Sequence, residues 1–90
     1  MPISRRVLIA NKRGLHARAS AKFVTLAATQ PCEVAVEKEG AGSVTGTSIM
    51  GLMMLGAAMG DTIVISADGD GAETAVATLC ELVEAKFGED

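Results

Sequence analysis

Two hydrophobic rhythms run along this 90-residue chain, a period of two in some stretches and a helical spacing in others, and they lay out its elements. Over residues 32–37 (CEVAVE), Cys32, Val34 and Val36 fall on one face and Glu33 and Glu37 on the other. That predicts a strand with one wet side and favours an antiparallel sheet. Residues 61–67 (DTIVISA) form the clearest strand and 3–10 (ISRRVLIA) another, while 43–47 predict a short one weakened by Gly46. Helical spacing appears in Phe23, Val24, Leu26, Ala27 and Ala28, which predicts a helix over 16–29 with Pro31 beyond its exit. A second series, running from Ala72 through Ala75, Val76, Leu79, Leu82 and Val83 to Phe87, predicts a helix over 72–87. Residues 48–55 predict a short helix opened by Thr47 or Ser48, since hydroxyl side chains cap helix N-termini well. Loops fall at 11–15, 39–42 and 68–71.

The resulting order, β-α-β-β-α-β-α, predicts an α+β fold. Two long helices and one short helix would cover one face of a four-stranded antiparallel sheet. No repeat, linker or low-complexity stretch interrupts it, and the length suits a single domain over 1–90. A domain this small has little room for a deep pocket. Its chemistry is therefore expected at the surface, completed by a partner.

Composition narrows the classes. Hydrophobic residues make up 49% of the chain, but Phe23 and Phe87 are its only aromatic residues, so the core is expected to be aliphatic and sulfur-rich. Cys32, on the apolar strand face, is expected in that core, and Cys80, beside the stripe of the last helix, partly buried. Two scattered cysteines make no disulfide framework. They share no ligand spacing with His16, so no metal and no cofactor is expected. The longest apolar stretch, 49–59, is far short of the ~20 residues of a membrane span, and no signal peptide opens the chain. No membrane insertion, a cytoplasmic location and a monomer are expected.

The net charge of −3 conceals an asymmetry. Arg5, Arg6, Lys12, Arg13, Arg18 and Lys22 all precede the first acid, Glu33. A nucleic-acid binder is usually basic overall, so no nucleic-acid partner is expected. Positive charge confined to the first quarter predicts a local anion site on an acidic protein.

The one histidine, His16, stands where a helix should begin, and no Ser, Thr, Asp or Asn caps that junction. The first-turn amides of Ala17 and Arg18 are then free for an outside acceptor. Arg18 in a first turn opposes the helix dipole, at a cost of roughly 0.3–1 kcal/mol, unless an anion regularly sits there. Helix N-termini bind phosphate, and arginine adds charge-assisted hydrogen bonds. The positive helix end favours an uncharged, nucleophilic imidazole. Histidine can form covalent intermediates, so His16 is a candidate phosphoryl acceptor with Ala17 and Arg18 holding the phosphate. From the residues alone, a solvated histidine in a basic loop is an equal reading.

The string Gly14-Leu15-His16-Ala17-Arg18-Ala19-Ser20-Ala21-Lys22-Phe23-Val24 resembles the HPr phosphocarrier family of the bacterial phosphoenolpyruvate-dependent phosphotransferase system. The element order and the 61–69 strand and turn suit that family as well. The resemblance implies an open-faced β-sandwich and a carrier that is not itself a complete enzyme. It implies that His16 is phosphorylated on Nδ1 by enzyme I, which draws the group from phosphoenolpyruvate. The group then passes to a histidine of an enzyme IIA-type protein, in sugar uptake or in nitrogen-linked regulation. The family often has proline after the arginine, where this chain has Ala19. Since proline suits a first helical turn, Ala19 leaves the helix start less rigid.

A second constellation lies at 47–56. Met50, Met53, Met54 and Met59 are four of the five methionines, and methionine surfaces adapt to several partners. Ile49, Met50, Met53 and Met54 are candidate docking residues, although at least half of this run is expected in the core. In the resembling family a serine opens this helix and is phosphorylated by a dedicated kinase in some bacteria, an HPr kinase/phosphorylase, and Ser48 matches that place. Residues 42–48 lack the lysine and spacing of a nucleotide-binding loop. Two rival classes remain: a regulatory α+β domain that senses a small anion without covalent chemistry, and a hydrolase. The hydrolase is disfavoured because no acid or base lies near His16 in sequence.

Overall fold

The computed structural model describes residues 2–89 and shows the expected α+β order. The elements are β1 (Ile3–Leu8), α1 (Ala17–Ala27), β2 (Val34–Lys38), β3 (Gly42–Thr45), α2 (Ile49–Met54), β4 (Thr62–Ala67) and α3 (Ala72–Glu84), followed by one 3-10 turn, Lys86–Gly88. All strand pairs are antiparallel and the sheet order is β1-β4-β2-β3. Val7 lies opposite Ile63, and Val36 lies between Ile65 and Val44.

Because side chains alternate across a strand, this register sends Val7, Val34, Val36, Ile63, Ile65 and Ala67 to one buried face. The helices cover that face. Phe23 of α1, Leu52 of α2, and Val76, Leu79 and Val83 of α3, each at most 1% exposed, complete the core. The other face of the sheet stays uncovered, with Ser4, Arg6, Glu37 and Val64 on it. This is the open-faced sandwich. Among the described residues no helix is long and apolar enough to cross a membrane.

Several boundaries differ from the sequence expectation. β1 stops at Leu8, although Ile9 still donates its amide to the Asp61 carbonyl at 2.8 Å. Cys32 is not on a strand: the chain is still turning after Pro31, β2 starts at Val34, and Cys32 packs half-buried at the core margin. Cys80 is fully buried rather than partly, because α3 lies across β1 and β4 and its covered stripe is wide enough to include it. Burial pushes its thiol pKa up.

The last helix ends at Glu84, three residues before Phe87. Lys86, Phe87 and Gly88 then take φ values of 59°, 56° and 76°. Left-handed backbone at a non-glycine residue costs roughly 1–2 kcal/mol. The turn is held by what it buries: Phe87 is 1% exposed in the core, and Lys22 of α1 donates to its carbonyl at 2.7 Å. The chain thereby doubles back toward the start of α1.

Candidate functional site

His16 is the N-cap of α1, extended at φ −73° and ψ −179°, and its side chain makes no capping bond. The amides of Ala17 and Arg18 donate to no group among the described residues. Both residues are exposed. Ala19 is fully buried in the same turn. The buried Ser20 hydroxyl donates to the Leu15 carbonyl at 3.1 Å, and the Ser20 amide to the His16 carbonyl at 2.9 Å. These two bonds tie down a helix start that lacks proline.

The loop before His16 is set by Gly14, which has φ +60°. A Cβ there would stand 2.3 Å from the Ala57 carbonyl oxygen. That close approach lets Leu15 donate its amide to the same oxygen at 2.9 Å. The 55–61 segment is held in turn by Lys38, whose ammonium reaches the Gly56 carbonyl at 3.0 Å and Asp61 at 3.2 Å. The Ala58 amide and Lys38 hold the Asp61 carboxyl below the usual carboxylate range.

The residue that sequence reasoning missed is Glu89. Its Oε2 lies 2.7 Å from His16 Nε2, with the two side chains 23% and 20% exposed. Its Oε1 accepts from Asn11 Nδ2 at 3.2 Å, and the same Asn11 nitrogen reaches the Gly14 carbonyl at 2.9 Å. Asn11, fully buried, thus joins the histidine loop to the tail. Sequence spacing had found no acid near His16, and the fold supplies one from 73 positions away. The available signal was Gly88, a glycine just past a helix end, where chains often reverse.

This carboxylate has a chemical consequence. A neutral imidazole carries one N–H, and a carboxylate can only accept. In the neutral ring, an Nε2 that faces Glu89 carries the proton, which leaves the lone pair on Nδ1. Lys12, Arg13, Arg18 and Lys22 surround the ring in a recess of about 400 Å³ that is closed by Gly88 and Glu89. A larger recess of about 570 Å³ on the open sheet face mixes Arg6 and Lys38 with Glu37, Glu39 and Asp61, and holds no histidine.

The bond from His16 holds the Glu89 carboxyl below its ordinary value, with Asn11 and Lys22 acting in the same sense. A carboxyl depressed on folding adds stability that is complete above its unfolded pKa and fades as pH falls through the folded one. Glu89→Gln is therefore expected to be less stable than wild type at neutral pH, with the gap closing at a pH acidic enough to protonate the folded carboxyl. Urea denaturation at the two pH values checks this, and an unchanged gap at low pH counts against it.

The second constellation lies on and beside α2. Ser48 is the N-cap of α2, and its Oγ accepts the Gly51 amide at 3.0 Å. Contrary to the expectation that at least half of the run is core, Ile49, Met50, Met53 and Met54 are 40%, 72%, 45% and 78% exposed, and Met59 is 57% exposed. Only Leu52 and Leu55 are needed to anchor so short a helix, which leaves the rest outward. α2 packs against α1, so the methionine surface belongs to the layer that bears His16.

Open amides, four cations and an imidazole anchored at one nitrogen thus meet at the surface of a small open-faced sandwich. The family model for the PTS HPr component phosphorylation site matches residues 3–85. The chain is 42% identical over 83 residues to the phosphocarrier protein HPr of Pseudomonas aeruginosa, across 92% of each chain. It is 40% identical over 87 residues to the phosphocarrier protein NPr of Shewanella violacea, across 97% of this chain and 94% of that one. The crystal structure of an HPr from Thermoanaerobacter tengcongensis superposes with a TM-score of 0.91 at 42% identity, covering 98% of both chains. The chain belongs to this family, the HPr phosphocarriers of the phosphotransferase system.

Proposed function

We propose that Nδ1 of His16 is the phosphoryl acceptor, loaded by enzyme I at the expense of phosphoenolpyruvate and unloaded onto a histidine of an enzyme IIA-type protein. The observation that carries this reading is the 2.7 Å contact between Nε2 and Glu89, which leaves Nδ1 as the nucleophilic nitrogen. In the loading step the Nδ1 lone pair forms the new N–P bond as the bond to the donor breaks. The Nε2 proton stays on the ring, and the ring's new positive charge faces the Glu89 carboxylate. The Ala17 and Arg18 amides and the Arg18 guanidinium take the phosphoryl oxygens.

The protein then acts as a carrier that is consumed and regenerated, with partners completing each transfer, and not as an enzyme in its own right. Such a reaction belongs in the cytoplasm, where phosphoenolpyruvate is made. Sugar uptake and nitrogen-linked regulation both use this chemistry, and the acceptor protein decides between them. Incubation with enzyme I, magnesium and phosphoenolpyruvate is expected to add one phosphate (~80 Da) that is stable at neutral pH and lost in acid. Phosphorus–nitrogen NMR correlations are expected at Nδ1. A chain that binds phosphate but gains no mass beside a competent enzyme I would instead be the non-covalent anion sensor.

Ile49, Met50, Met53 and Met54 are proposed as the partner-docking surface, and Ser48 as a regulatory phosphorylation site for a dedicated kinase. A phosphate on Ser48 adds roughly −1.5 to −2 charges at the edge of that surface. Ser48→Asp is expected to slow loading by enzyme I by roughly tenfold, about 1.4 kcal/mol of barrier. Stopped loading assays check it, and wild-type rates in the variant speak against regulation at this position.

A further inference from the structure

The flank of α1 away from the methionine surface carries a second depression. α1 packs against α3 as well as α2, and along α1, bounded on the α3 side by Leu82, lies a shallow, open groove of about 500 Å³ that shares Arg18 and Lys22 with the recess around His16. Leu26 and Leu82, both half-buried, line it, with Ala21 alongside. The two threonines on it spend their hydroxyls internally, Thr25 donating to the Ala21 carbonyl at 2.9 Å and Thr29 to the Leu26 carbonyl at 2.7 Å. They offer carbon to an occupant. No acidic side chain lines the groove.

We infer that this groove along α1 binds a small amphipathic monocarboxylate, with its head on Arg18 and Lys22 and its apolar body along Leu26 and Leu82. Charge complementarity chooses the head. Arg18 has no ion pair among the described residues, and a guanidinium meets a carboxylate in a planar two-bond fork. Lys22 uses one donor on the Phe87 carbonyl, and an ammonium has more to spare. The lining chooses the body, since a sugar-like ligand would find its hydroxyls unmatched. Extent chooses a small molecule over a protein: seven residues line the groove, whereas a protein interface takes about 800 Å², roughly 20–30 residues, from each partner. One consequence rests on the carrier reading: an occupant that engages Arg18 competes with the phosphoryl group and slows loading.

The test titrates the full ¹⁵N-labelled chain with sodium octanoate, with acetate and octanol in parallel at constant ionic strength. Saturable amide shifts are expected at Ala21, Thr25, Leu26, Thr29 and Leu82, with a Kd of about 1 mM. Acetate and octanol are each expected to bind at least about tenfold more weakly, because each lacks one half of the ligand. Thr29→Glu, an exposed change at the apolar end, is expected to weaken octanoate about tenfold and leave phosphoryl loading unchanged. Shifts that never saturate, that centre on Met50, Met53 and Met54, or that octanol matches would each overturn the site. Binding is read without enzyme I, so a chain that binds octanoate yet is never loaded keeps this inference and loses the carrier reading.

Discussion

A His16→Ala chain is expected to be loaded by enzyme I at least about a thousandfold more slowly than wild type, while remaining folded. The fold should survive because the His16 side chain makes no capping bond and is partly exposed, so its loss leaves no hole in the core. What disappears is the Nδ1 lone pair and the tie to Glu89. Backbone amide spectra that match wild type beyond the 11–20 loop and the tail, together with no added mass after loading, are the expected pair of results. An acid-labile phosphate on the alanine variant would move the acceptor to another residue.

Gly14→Ala is expected to damage both stability and loading. Two penalties act together: left-handed backbone at a residue with a Cβ, and a Cβ only 2.3 Å from the Ala57 carbonyl oxygen. Together they amount to a loss on the order of 2–4 kcal/mol. In a domain this small each kcal/mol moves Tm by roughly 4–8 °C. Relief requires the 11–15 loop to part from Ala57, which carries His16 away from Glu89, and a displacement of ~1 Å at a reacting group can cost ~100-fold in rate. Gly40 is the control. It has φ +84°, and a methyl group added there would meet nothing within 4 Å, so Gly40→Ala faces only the backbone penalty. Thermal melts and loading rates of the two variants should separate the clash from the dihedral. Equal effects at both positions would remove the Ala57 contact from the account.

The sequence showed the sheet where alternation was strict. Val34 and Val36 of β2 are buried on the face their spacing predicted, and β4 lies within the 61–67 stretch expected as a strand. It also showed the setting of His16, since a helix start without a capping side chain can be read from residue types alone. It failed where tertiary contacts decide. The helical rhythm through Phe87 extended α3 too far, because a buried side chain in a left-handed turn can mimic the next position on a helix face. That overextension hid Glu89, whose place follows from the turn and not from any periodicity. The methionines were misjudged for a related reason: hydrophobicity predicts burial only if the helix has enough neighbours to bury it, and α2 is just six residues long.

The long sequence span of the His16–Glu89 pair has a meaning for synthesis. Ribosomes add roughly 5–20 residues per second from the N-terminus, so the histidine exists for several seconds before its carboxylate is made. A nascent chain that has emerged through β4 already bears the 14–24 string, but nothing yet fixes which ring nitrogen holds the proton. If Nδ1 of His16 is the acceptor, as proposed, its chemical competence therefore waits for Glu89. A partially made carrier would present its cations to the cell before it could present a defined nucleophile.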